Sequence, residues 1–414
     1  MTTTEGTTHE SSSDTRFIAR QPILDLASRV HGYALLFDTA ADGVIGAKNR
    51  DAARAILDDI VLLGLDRLTG GEKAFVRCTS EVLTEKLVAV LPPASTVLEI
   101  PESVKPVAHL LDACRDLKAA GFAFALADVS SNPQSNPLLE FASYLKVDIT
   151  SLDATGFRQL RESVAGKGIA LIASKVDTQE LHSKARGEGF TYFQGFYFCY
   201  PELILSAKVP ANRLFHFEIL RQLQSDPLNI RKIGPLVMRD ASLVLRLLRL
   251  VNSPICAIRQ EVTSIESAIM ILGETTFRRI ANLAILREFN ADQPSEVLHM
   301  ALVRGRFCEL AAAPNNLDPG EQYLLGMLSL LPAMLRYPMD SLAKELPLRA
   351  EIREALMGEP VAERSLLSWI EFHERNMVSE CVALGNKYGM NQQKLNQFYV
   401  DALIWDAATP RPVG

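Results

Sequence analysis

Carboxylates stand at the ends of three short β-rich runs: Glu99 in TVLEI, Asp128 after FAFALA and Asp148 closing YLKVD. Side chains at the C-terminal ends of parallel barrel strands converge where the connecting loops open. Carboxylates gathered there can hold divalent cations and activate water. Hydrolysis of a phosphodiester by two metal ions needs several such oxygen ligands at one rim.

The elements that would position these groups follow from the pattern between Phe17 and about Tyr200. Strands are predicted at Ala74–Cys78, Thr96–Ile100, Phe122–Ala127, Tyr144–Val147, Ile169–Ala173 and Tyr192–Phe193. Stretches of helical period separate them, such as Val104–Ala120 and Gln179–Glu188. Repeated strand–helix units imply a parallel sheet, either open and doubly wound or closed as a (β/α)8 barrel, and the length suits one barrel.

After CYPELILSAKVPANR the strand signal ends, and Arg213 to Asp406 reads as helices. Asp240 is placed to cap ASLVLRLLRLV, which Ser253-Pro254 would end. Thr263 with Glu266 forms a capping box before SAIMIL, closed by Gly273. The predicted class is therefore α/β plus all-α: a polar tail at 1–15, a barrel at 16–205, a helical domain at 206–406 and a tail at 407–414. Each half is expected to fold by itself.

The chain of 414 residues is 48% hydrophobic, enough for a large core. Its net charge of -6 gives no global attraction to nucleic acid or to an anionic membrane. The cysteines at 78, 114, 199, 256, 308 and 381 show no Cys-x-x-Cys pair and read as buried thiols in a reducing compartment. The opening MTTTEGTTHESSSDTR lacks the apolar core of a secretion signal, and no later run is long and apolar enough to span a bilayer. A cytoplasmic location without membrane partners is expected.

The segment ARQPILDLASRVHGYALLFDTA (Ala19 to Ala40) resembles the opening of EAL domains, the barrel phosphodiesterases that linearise cyclic di-GMP, especially those joined to a helical HDOD domain. GEKAFVRCT, VLEIPE, GFAFALADVSS, YLKVD, LIASKVDTQE and YFQGFYF follow in the family's order, over roughly Arg16 to Pro210. The resemblance places the family's metal-binding glutamate at Ala34 and its phosphate-contacting arginine at Asp38. It places the asparagine ligand at Arg77 and the aspartate pair at Ala127 and Asp128. A later ligand glutamate becomes Ser174 and its companion Asp177, whereas Glu99, Lys146 and Gln194 are kept. Two metals cannot be held by that remnant. The surviving groups then have a structural reading, with Glu99 and Lys146 as an ion pair and Asp128 capping the next turn.

The C-terminal half resembles the HDOD domain, a relative of the HD phosphohydrolases, through VMRDASLVLRLLRLVNSP, TSIESAIMILGETTFRRIANLAIL, ALVRGRFCELAA and YLLGMLSLLPAML. HD hydrolases need a His-Asp doublet and further histidines for their metals; this chain has no such doublet, and His299 and His373 stand alone, reading as satisfied helix residues rather than ligands. Between Val209 and Asn290 there are 11 basic and 7 acidic residues, including Arg246, Arg249, Arg278 and Arg279. These four mark either a partner surface, a solvated helix face, or cations paired with acids elsewhere.

The sequence thus points to a bacterial EAL–HDOD signalling protein without cofactor or metal, a catalytically inactive adaptor acting on protein partners. The alternatives are a cyclic di-GMP receptor or weak phosphodiesterase, and a regulator binding nucleic acid through Arg246–Arg279, although no aromatic platform or helix-turn-helix signature accompanies those helices.

Overall fold

A computed structural model describes residues 16–39, 50–129, 136–199, 211–223, 228–252, 262–291, 293–346 and 348–408. The expected tail at 1–15, the expected boundary at 205/206, Ser253-Pro254 and Cys256 lie outside the described residues, as does the side chain of Asp38.

Eight strands close into a barrel in chain order: β1 (Arg16–Asp25), β2 (Val30–Thr39), β3 (Lys73–Arg77), β4 (Thr96–Pro101), β5 (Ala123–Ala127), β6 (Ala142–Asp148), β7 (Ala170–Ser174) and β8 (Tyr192–Gln194). The six predicted strands are present within two residues of their expected ends. β1 and β2 were not predicted as strands, and they alter the topology. β1 runs antiparallel to both of its neighbours, β2 and β8, so the barrel is not the all-parallel form expected. The cause is local: only four residues join β1 to β2, too few for a parallel crossover. In that turn the Asp25 carboxylate accepts from the amides of Ala27 and Arg29 at 2.8 and 2.9 Å, and Ser28 takes a left-handed φ of 59°.

Strand alternation builds the barrel interior in layers. Ile23, Ala34, Phe75, Val97, Ala125, Tyr144 and Ile172 pack together as the central layer. With a side-chain period of two, the next inward residues toward the C-terminal rim are Gln21, Leu36, Arg77, Glu99, Ala127, Lys146 and Ser174, with Gln194 from β8.

From Ala211 to Ala407 every described element is a helix. Asp240 accepts from the amide of Leu243 at 3.0 Å, as predicted. The predicted capping box is displaced by one residue: the helix starts at Ile265, so Ser264 rather than Thr263 is the cap and accepts from the amide of Ser267 at 3.1 Å. Among the described residues no helix is long and apolar enough to cross a membrane. Cys78, Cys114, Cys199, Cys308 and Cys381 are free and buried, and burial pushes the Cys114 thiol up to about 11.

The helical half packs on β1 through its last helix, Gln392–Ala407, and through the helix Ser365–Glu374. The junction is polar and buried. Arg20 donates to the Leu68 carbonyl at 2.8 Å and to Asp406 at 3.4 Å, and its guanidinium lies 4.5 Å from the Tyr33 ring centre. The Tyr33 hydroxyl donates to Glu296 at 2.7 Å, and His299 Nδ1 meets Asp406 at 2.9 Å.

Candidate functional site at the barrel mouth

The rim layer opens into a cavity of about 610 Å³. Glu99, Arg77, Lys146, Ser174 and Gln194 line it, joined by Asp128, Lys175 and Asp177 from the loops that follow the strands. The backbone at the strand ends turns sharply: Asp128 and Lys175 have φ of 55° and 58°. Gly195 has a φ of 151°, and a Cβ there would lie 2.2 Å from the Val176 carbonyl oxygen. Any side chain at this position would push β8 off the loop after β7.

The three strand-end carboxylates do not form one site. Lys146 Nζ donates to Glu99 at 2.7 Å, with both side chains buried, which matches the predicted pair. Asp128 was expected to cap a turn; instead its carboxylate pairs with the Arg77 guanidinium, because Arg77 ends β3 with its side chain turned inward at the same rim. Asp148 is absent from the cavity lining and is bound by Lys175 at 2.7 Å and by the Thr150 hydroxyl at 2.6 Å. Burial pushes the Asp148 carboxyl up, but the bonds from Lys175 and Thr150 outweigh it and hold the group below its ordinary value.

Ala34 lies in the central layer with 1% exposure, one layer below Leu36, and Ala127 is fully buried. Both present only a methyl group. Asp177 accepts from the amide of Phe196 at 3.0 Å and so fixes the loop after β8. Gln194 is buried; its Nε2 donates to Gln21 Oε1 at 2.8 Å, and its own Oε1 has no protein partner. Among the described residues no group of three or more His, Cys, Asp or Glu side chains is arranged to hold a metal ion.

Several lining residues were not singled out in the sequence: Gln21, Lys175 and the turn Arg375–Met377, which comes from the helical half. Gln21 sits in the same ARQPILD run as Arg20, and a strand reading of that run would have aimed it inward. Nothing local marks Arg375–Met377, whose place depends on how the two halves dock.

The family models match the two halves separately, an EAL domain over 77–201 and an HDOD domain over 210–337. The chain carries an EAL domain followed by an HDOD domain. It is 29% identical over 400 residues to the uncharacterized protein YuxH of Bacillus subtilis, covering 94% of this chain and 97% of YuxH. It is 27% identical over 413 residues to CdgJ of Vibrio cholerae, named a cyclic di-GMP phosphodiesterase, covering 96% of this chain and 93% of CdgJ. Among solved structures, Klebsiella pneumoniae BlrP1 with calcium and cyclic di-GMP matches at 19% identity, 44% of this chain, 55% of BlrP1 and a TM-score of 0.37. Bacillus subtilis YkuI, with an EAL domain, cyclic di-GMP and calcium, matches at 19% identity, 63% of this chain, 72% of YkuI and a TM-score of 0.37.

In the helical half, His299 and His373 are both buried. His299 faces Asp406, and His373 stacks on Trp369 with ring centres 4.6 Å apart. The four arginines proposed as a partner surface are not equivalent. Arg246 pairs with Glu288, Arg278 donates to the Leu223 carbonyl and Arg279 lies over the Trp405 ring at 5.8 Å. Arg249 is exposed.

Proposed function

We propose that this EAL–HDOD protein is a catalytically inactive signalling adaptor whose EAL domain no longer hydrolyses cyclic di-GMP and whose output is made through protein contacts of the HDOD domain. The pairing of Arg77 with Asp128 carries the most weight. At the position where the family resemblance puts an amide ligand stands a cation, and it has taken the neighbouring carboxylate as its partner. A divalent ion there would have to displace a guanidinium of the same sign of charge. Two methyl groups, at Ala34 and Ala127, and the hydroxyl of Ser174 replace the other lost oxygens, and Glu99 is already neutralised by Lys146. The residues present do not fit a two-metal centre.

The cytoplasmic placement expected from the sequence is part of the same proposal, as is the absence of a nucleic-acid role. Three of the four candidate arginines spend their guanidinium groups on intramolecular contacts, which leaves little of a phosphate-binding stripe.

The deciding experiment incubates the purified full chain with cyclic di-GMP and excess Mg²⁺ or Mn²⁺ and follows the linear dinucleotide product. No product is expected. Turnover that is lost in Glu99→Ala would show a working metal site and overturn the proposal in favour of a weak phosphodiesterase.

A further inference from the structure

The roof of the barrel mouth belongs to the other domain. Arg375, Asn376 and Met377 form the turn between the HDOD-side helices Ser365–Glu374 and Val378–Tyr388, and all three line the cavity with Lys146, Ser174 and Gln194. We propose that this turn is a built-in partial cap, a contact that narrows the EAL mouth against large molecules while the domains are docked and widens it when the helical half swings away.

The turn is shaped before it meets the barrel. Asn376 takes a left-handed φ of 58°, its amide donates to the His373 carbonyl at 3.0 Å, and the Met377 amide donates to the Phe372 carbonyl at 2.9 Å. Its root is rigid, because the buried Glu374 carboxylate is held by Arg304 through contacts of 2.6, 3.1 and 3.2 Å. A chain of hydrogen bonds then ties the rim to the root: Gln194 Nε2 donates to Gln21 Oε1 at 2.8 Å, and Gln21 Nε2 donates to the Glu374 carbonyl at 3.2 Å. Arg375 lies 5.9 Å from the Phe196 ring centre, on the loop that Asp177 fixes.

Two observations separate a cap from ordinary packing. Beside the roof, the void among Arg20, Phe196, Glu296, Glu374 and Tyr399 is only about 10 Å³, so the interface there is filled. Under the roof about 610 Å³ is kept open over polar groups, among them the unpartnered Gln194 Oε1. The turn roofs one side of this mouth while Asp128, Lys175 and Asp177 stay exposed on the other, and a cleft of this size over polar groups is the form of a ligand site. Closure does not depend on whether the EAL domain turns over a substrate, so its test uses no nucleotide.

A cysteine placed in the cavity floor by Ser174→Cys in the full chain reports on the cap. It is labelled with a maleimide carrying a long polyethylene glycol chain and, in parallel, with N-ethylmaleimide, and modification at 174 is read by peptide mass spectrometry. Removing the roof side chains with Arg375→Gly and Met377→Gly should speed the bulky reagent about tenfold, or ~1.4 kcal/mol of closing free energy, with the small reagent unchanged. If that double variant does not fold, Gln21→Ala, which cuts the tie from rim to root, should give the same selective acceleration. Equal bulky-reagent rates with and without the roof would overturn the cap. So would equal acceleration of both reagents, which would signify general loosening.

Discussion

Arg20→Met tests whether the two domains stand or fall together. Arg20 is 6% exposed and lies on β1, while the group facing it, Asp406, lies on the last helix of the chain. Methionine preserves most of the apolar stem but removes the charge, leaving the Leu68 carbonyl without its donor and leaving the buried carboxylates with His299 at Asp406 and the neutral Tyr33 hydroxyl at Glu296. Removing one partner of a buried ion pair costs ~3–5 kcal/mol, because the remaining charge is left uncompensated. The orphaned carbonyl falls within that figure, since both losses share one guanidinium. Against a typical stability of ~5–15 kcal/mol, such a loss is visible in urea unfolding followed by far-UV circular dichroism. The expected result is one transition, moved to lower urea with its slope unchanged. Adding Glu296→Gln removes one of the two stranded carboxylates and should restore ~1–3 kcal/mol, the coupling usual within one charge network. A cost below ~1 kcal/mol, or two transitions of which only one moves, would show that the network does not join the domains, and would support the expectation that each half folds alone.

His299 supplies a pH dependence. Burial pushes its imidazole down, but the hydrogen bond and charge of Asp406, helped by Glu296 and opposed by Arg20, raise it above the ordinary 6.5. A raised folded value means that its support is fully present below 6.5 and is lost as pH rises through the raised value. The destabilisation caused by His299→Gln, measured by urea unfolding, should therefore be largest near pH ~6 and shrink toward pH ~9; a difference that stays flat or grows contradicts the assignment. On the HDOD surface, Arg249→Glu should weaken recovery of a bound partner from native lysate while changing stability by no more than ~0.5 kcal/mol. Arg246→Glu should lower stability as well, since it sets two carboxylates together at Glu288. Recovery that depends on the EAL domain alone would reverse the proposed division of labour.

Period and motif order made the barrel legible, because β3 to β8 each alternate around a buried layer and end near a polar residue. β1 was hidden by Arg20, Gln21 and Pro22, polar or strand-breaking residues in the middle of a ten-residue strand. Their reason is tertiary: Arg20 serves the domain junction and Gln21 the mouth, so the local pattern was given over to contacts hundreds of residues away. Glu99 and Lys146 could be paired from sequence because both stand near the ends of strands that open on the same rim. Asp128 could not, since its partner depends on Arg77 reaching across the rim. The cap at Arg375–Met377 had no local signature, as its function comes from a docking that no pattern within Ser365–Tyr388 encodes.

Arg77 and Lys146 share a physical consequence at the rim. A two-metal site gathers carboxylates whose mutual repulsion is relieved only by the ions, so it is incomplete until they bind. Here fixed cations neutralise Glu99 and Asp128 within the chain. A guanidinium or ammonium supplies charge but no exchangeable coordination position, so it cannot lower the pKa of a bound water or polarise a phosphoryl oxygen as an open metal site does. The mouth is therefore preorganised without metal, and its polar floor lies beside a turn that belongs to the helical half. A rim that needs no ion to hold its shape, and that the helical half partly roofs, fits the proposed role of transmitting domain position rather than turnover.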